Sequence, residues 1–144
     1  MRSKSSGMEV AMEWKINEDR PIWVQLSEQL AARIGAGVYA PGERLSSVRE
    51  FAASAGVNPN TMQRALADLE AKGLVETERT AGRSVTQDAA RIQALRRQLA
   101  RERTAAFIES MEALGYTRQE IRQTLEEILD ETAGAGRSEK QSEK

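Results

Sequence analysis

Residues 57–85 read VNPNTMQRALADLEAKGLVETERTAGRSV, and most of the fold follows from them. Asn58 is a strong N-cap and Pro59 a favourable first helical residue, so a helix is predicted from about Pro59 to Lys72. It buries Met62, Ala65, Leu66 and Leu69 and stops at Gly73. Two short β-type runs, LVETE and SVT, flank RTAG and predict a hairpin over about 75–86, with Gly82 taking the awkward turn angle.

Working outward, SVREFAASAG at 47–56 opens with a Ser47-x-x-Glu50 capping box and turns Phe51 and Ala52 inward. Only Gly56-Val57-Asn58 then separates it from the 59–72 helix, too little chain for anything but a tight, steeply crossed pair. Upstream, PIWVQLSEQLAARIGAG places Ile22, Leu26, Leu30 and Ile34, with Trp23, at helical spacing before Gly35 and Gly37. VYAPGERLSS reads as a loop or short extended connector. Helix, turn-coupled helices and hairpin make a winged helix-turn-helix over 13–87.

The character changes after the hairpin. From about Ala90 to Leu114 there is neither Pro nor Gly, and Ile92, Leu95, Leu99, Ala106, Phe107, Ile108, Met111 and Leu114 trace an apolar stripe. Gly115-Tyr116 breaks it. A last helix begins at the Thr117-x-x-Glu120 box and carries Ile121, Leu125, Ile128 and Leu129 on one face. Two such helices cannot cover both stripes on each other, so 88–132 is predicted to be a homodimerisation region. The fold class is therefore mainly α with a small β-hairpin. Residues 133–144 hold too little apolar content to fold and are expected to be a disordered tail. Residues 1–12 are expected to be a tag or unstructured, with Met8 or Met12 as the native start.

Composition narrows the chemistry. The 144 residues carry 21 basic and 22 acidic side chains, so nucleic-acid binding would depend on placement rather than net charge. Without cysteine or histidine the commonest nucleophile, general base and metal ligands are missing, and no metal, cofactor or enzymatic activity is expected. No run approaches the roughly 18 apolar residues of a membrane span. A soluble, cytoplasmic protein is expected.

In a helix-turn-helix the second helix presents its first turns to the major groove. Here those turns hold Asn58, Asn60, Thr61, Gln63 and Arg64, residue types that pair with adenine, guanine or phosphate. Asn58 by itself reads as a cap. Arg79 and Arg83 flank the hairpin turn and suit the DNA backbone or minor groove, although an exposed hairpin paired through Glu76 and Glu78 would look similar. Arg44, Ser47, Arg49 and Gly82 complete the expected contact set. Arg91, Arg96, Arg97, Arg101 and Arg103 read as the solvated face of the dimer helix rather than as a second nucleic-acid surface.

From Arg20 to Val85 the chain resembles the DNA-binding head of the GntR family of bacterial transcription regulators. The resemblance rests on PI-x-x-QL, G-x-x-x-PGE-x-L-x-S-x-RE and GV-x-x-NT-x-x-RAL-x-x-LE-x-KGLV. It implies that Arg49 contacts a base or phosphate and that Thr61 binds a phosphate. Two positions depart from the family pattern: Leu45-Ser46-Ser47 replaces the usual Leu-Pro-Ser, which predicts a looser approach to the second helix, and Pro59 stands where some members carry an Arg contact. The short two-helix appendage looks like the YtrA-type branch, whose members resemble dimeric repressors of transporter and stress operons. The expected function is a homodimeric repressor on a palindromic operator in double-stranded DNA, with a small apolar effector near Phe107, Met111 and Tyr116. The alternative is a winged-helix protein-protein interaction module.

Overall fold

The computed structural model describes residues 13–142, with side chains through residue 135. The described residues form α1 (Ile22–Gly35), α2 (Val48–Ala55), α3 (Pro59–Ala71), β1 (Val75–Glu78), β2 (Gly82–Val85), α4 (Ala89–Ala113) and α5 (Arg118–Ser142). The expected N-terminal tag at 1–12 lies outside the described residues. The chain divides into two compact units, the first reaching Leu99 and the second starting at Ala100.

In the first unit, Leu26, Leu30 and Ile34 of α1 meet Phe51 and Ala52 of α2 and Met62, Ala65, Leu66 and Leu69 of α3 in one buried core. Ile22, predicted on the same stripe, is exposed instead, at the first position of the helix. Gly56, at φ 67°, lets the chain leave α2 in the left-handed region and enter α3 within two residues. Val75 pairs with Val85 and Glu78 with Gly82 in the antiparallel hairpin. The connector before α2 joins that hairpin: the Leu45 amide donates to the Arg83 carbonyl and the Val85 amide to the Glu43 carbonyl, both at 2.9 Å. β2 thus lies between β1 and an extended Glu43–Leu45 segment.

The stretch before α1, which no helical or strand periodicity marks, is ordered against the first unit. The chain from Trp14 to Asn17 lies along α1, held by two glutamines one helical turn apart. The Lys15 amide donates to Gln29 Oε1 at 2.9 Å while Gln29 Nε2 donates to the Lys15 carbonyl at 2.7 Å. Gln25 repeats the pattern with the Asn17 amide (2.9 Å) and carbonyl (2.8 Å) and adds the Arg20 carbonyl at 2.8 Å. These side-chain amides satisfy backbone groups in the way a neighbouring strand would. Trp14 anchors the upstream end, with Nε1 on Ser54 Oγ at 3.0 Å, its ring edge-on to Phe51, and the Arg33 guanidinium 4.1 Å from its centroid.

The structure divides the α4 stripe differently from the sequence reading. Ile92 and Leu95 are half-buried against the core of the first unit, and Leu95 and Leu99 both approach Gly35. The start of the stripe thus packs on the head within the chain, and the compact units divide after Leu99, twelve residues beyond the expected end of the head at 87. Arg91, expected on the solvated face, bonds the Lys72 carbonyl at 3.2 Å and so caps the C-terminal end of α3.

In the second unit, Gly115 ends the helix and Thr117 and Glu120 close the predicted capping box, with bonds of 3.0 and 3.2 Å. The C-terminal half of α4 and α5 touch little beyond that turn. Ile121 is buried and Ile108 and Met111 are half-buried, whereas Phe107, Leu114, Leu125, Ile128 and Leu129 are exposed. α5 continues to Ser142, past the residue at which a disordered tail was expected. Ala133, Ala135, Glu139, Lys140 and Gln141 are good helix formers, and no proline interrupts them. Low apolar content argues against packing and leaves helix formation open.

Candidate nucleic-acid interface

The turn between α2 and α3 is built from two side-chain caps. Ser47 Oγ accepts from the Glu50 amide and Glu50 Oε1 accepts from the Ser47 amide, each at 3.1 Å. Hydrogen bonds from the Ser47 backbone and side chain hold the Glu50 carboxyl below its ordinary pKa. The Leu-Ser-Ser departure therefore leaves a closed box rather than a loose approach to α2. Asn58 Oδ1 accepts from the Asn60 amide at 2.8 Å and caps α3, as its residue type indicated. Both Ser47 and Asn58 thus have their side-chain acceptors engaged within the chain.

Between these caps stand the free groups. Arg49, in the first turn of α2, is exposed, as are Asn60, Gln63 and Arg64 in the first turns of α3, and Thr61 is half-buried. Arg49 and Gln63 side chains have no hydrogen-bond or ion-pair partner among the described residues. Arg64 bonds none either, but its guanidinium carbon lies 4.3 Å from the centroid of the Trp23 ring on α1. α3 is fixed from behind by a bond that composition alone would not reveal: buried Ser27 Oγ donates to Asp68 Oδ2 at 2.6 Å, and Lys72 Nζ reaches the same oxygen at 2.8 Å. Burial raises the Asp68 pKa, but the Lys72 and Ser27 hydrogen bonds and the Lys72 charge together bring it below the ordinary value.

The wing carries a second group. Gly82, at φ 77°, makes the turn, and the Arg44 guanidinium lies close by, in line with the antiparallel bridge between Arg44 and Ser84. Arg79 is exposed at the turn. Arg83 is half-buried, and its Nε is shielded from solvent without a hydrogen-bond acceptor. None of the three pairs with Glu76 or Glu78 among the described residues, so the bland pairing that sequence left open does not form within this chain.

A family model for bacterial regulatory proteins of the gntR family matches residues 24–85. The HTH-type transcriptional regulator YhcF of Bacillus subtilis, itself uncharacterized, is 36% identical over 110 residues, 76% of this chain and 91% of that protein. The chain belongs to the gntR family. A GntR-family transcriptional regulator from Listeria monocytogenes shares the fold with a TM-score of 0.71 at 35% identity, covering 78% of this chain and 98% of that one. The HTH-type transcriptional repressor YtrA of B. subtilis is 38% identical over 69 residues, 48% of this chain and 53% of that repressor. The GntR head at 24–85 contains every contact residue named above, and the likeness to YhcF and to the Listeria regulator extends well beyond that head. The protein is thus a transcription regulator with a DNA-binding winged helix, and its family is not one of enzymes.

No helix among the described residues is long and apolar enough to cross a membrane. A recess of about 250 Å³ opens beside the end of α1, between residues that include Tyr39, Pro41, Ile92 and Arg96. It contains none of Phe107, Met111 or Tyr116, where an effector was expected.

Proposed function

We propose that this GntR regulator is a homodimeric repressor of the YtrA type that occupies a palindromic operator, with α3 in the major groove and the β1–β2 wing on the backbone. One observation carries the reading: Arg44, Arg49, Arg64, Arg79 and Arg83 make no ion pair among the described residues, although the chain is as rich in acids as in bases. Five cations left uncompensated on the helix-turn-helix and wing form an anion-binding surface despite a net charge of −1. Asn60 and Gln63 supply amide edges suited to adenine, and Arg49 and Arg64 forks suited to guanine or phosphate. Thr61, Arg44 and Arg79 suit phosphates, and the unsatisfied Nε of Arg83 gains an acceptor when an anion seats against the wing.

The dimer is supported by Leu114, Leu125, Ile128 and Leu129, which stay exposed within the chain. A second copy covers the same stripe by two-fold symmetry and presents two heads to two half-sites. Phe107, Met111 and Tyr116 border that seam and provide the apolar surface for a small effector. The protein acts in the cytoplasm, where its DNA lies. Recovery of bound fragments from random genomic DNA, followed by titration of the recovered duplex at several salt concentrations, tests the proposal. A palindromic consensus with steep salt dependence supports it; recovery of no shared sequence refutes it.

A further inference from the structure

The two tryptophans of this chain are used differently. Trp14 is spent inside the first unit: its indole N–H is bonded to Ser54 and its ring packs on Phe51 and Arg33. Trp23 stands in the first turn of α1, half-buried and outside the fully buried set of Leu26, Leu30, Ile34, Met62, Leu66 and Leu69. What its ring does have is the guanidinium of Arg64, 4.3 Å from the centroid. Arg64 in turn bonds no acceptor among the described residues. A guanidinium lying on an aromatic face keeps its N–H donors in its own plane, pointing outward.

That geometry matters because an arginine side chain gives up much rotamer entropy when it is held still, and reading a guanine with two parallel hydrogen bonds requires one orientation of the plane. We propose that Trp23 is a positioning residue for base readout: stacking on its ring fixes the Arg64 guanidinium so that its outer edge meets the two major-groove acceptors of a guanine. Trp23 itself touches no base. This inference rests on the operator reading above and assigns it one base pair in each half-site.

The test uses the full-length protein, the recovered operator, and duplexes changed at each base pair in turn. The readout is discrimination, the ratio of Kd for the changed duplex to Kd for the operator. Arg64→Gln is expected to lower discrimination at one position per half-site by about 5- to 150-fold, the span of a bidentate pair. Trp23→Leu is expected to lower it at the same position by about 2- to 5-fold, the worth of an exposed cation–π contact. Trp23→Phe should restore most of it, and Trp23→Leu should add nothing in the Arg64→Gln background. Trp23→Met replaces Leu if thermal melting shows that Leu unfolds the head. Unchanged or sharper discrimination in the non-aromatic variants overturns the inference, as does an equal loss at every position or a loss that persists without Arg64. If Arg64→Gln itself changes nothing, Arg64 reads no base and that part of the operator reading fails too. If Arg64→Gln acts and Trp23→Leu does not, only the role of Trp23 falls.

Discussion

Leu129 is the α5 position at which the proposed dimer is most open to attack, because the chain itself makes little use of it. It is 57% exposed, beside Leu125 at 44% and Ile128 at 50%. Burying a leucine fully stabilises by about 1.5–3 kcal/mol, so more than half of that, about 0.9–1.7 kcal/mol, is still to be gained at Leu129 when a partner covers it. A two-fold interface uses each residue twice. Leu129→Ala is therefore expected to weaken dimerisation by about 2–3 kcal/mol, roughly 30- to 150-fold, while moving the stability of the isolated chain by no more than about 0.5 kcal/mol. Leu129→Asp adds two carboxylates to a desolvated seam and should leave monomers at all practical concentrations. Sedimentation equilibrium over a wide concentration range measures both variants. Binding to full and half operators follows the same change, since losing the tether costs about 100-fold or more in affinity for the full site. A dimerisation constant within two-fold of the parent for both substitutions would place the interface elsewhere and leave the exposed α5 stripe without an explanation.

Arg49→Ala is expected to cost about 1–3 kcal/mol of specific operator affinity, with an unchanged thermal melt, because the exposed side chain has no partner within the chain. Arg79→Ala should weaken all duplexes alike and reduce the salt slope by about one, as titrations at several salt concentrations would show; altered sequence preference instead would make the wing a reader of bases. Asp68 gives a pH prediction: its folded-state pKa is lowered, so its contribution is present above the unfolded value of about 3.9 and is lost as pH falls through the folded value. Asp68→Asn is expected to cost about 1–2 kcal/mol at pH 6 and progressively less toward pH 3, measured by urea melts, and a pH-independent difference would remove the Ser27 and Lys72 bonds as its cause.

The head was legible because its signals are local. Caps at Ser47 and Asn58, the glycine at 56 and the apolar spacing of Met62, Ala65, Leu66 and Leu69 each specify conformation within a few residues, and each is found in place. The interface was only half legible. Residue type marks Arg64 as a candidate for DNA contact, but its place over the Trp23 ring joins positions 41 residues apart, and no periodicity encodes that. The α4 stripe was legible as a stripe but not in its division: a single continuous pattern serves two surfaces, the head up to Leu99 and an exposed apolar face beyond it. The stretch before α1 lacked a signal altogether, since its backbone is satisfied by side chains rather than by a pairing strand.

That last arrangement restricts what can stand at residue 25. Gln25 is 2% exposed and supplies one acceptor and two donors, all three engaged. Glutamate has the same outline but turns a carboxylate toward the carbonyls of Asn17 and Arg20; asparagine falls one methylene short; leucine and methionine fill the volume and leave three backbone groups unanswered. Spontaneous loss of the amide nitrogen would be a lesion here, though invisible in the shape of the side chain. The residue therefore has no conservative substitute, and its tolerance to change should be closer to that of a glycine in a tight turn than to that of other glutamines on helices.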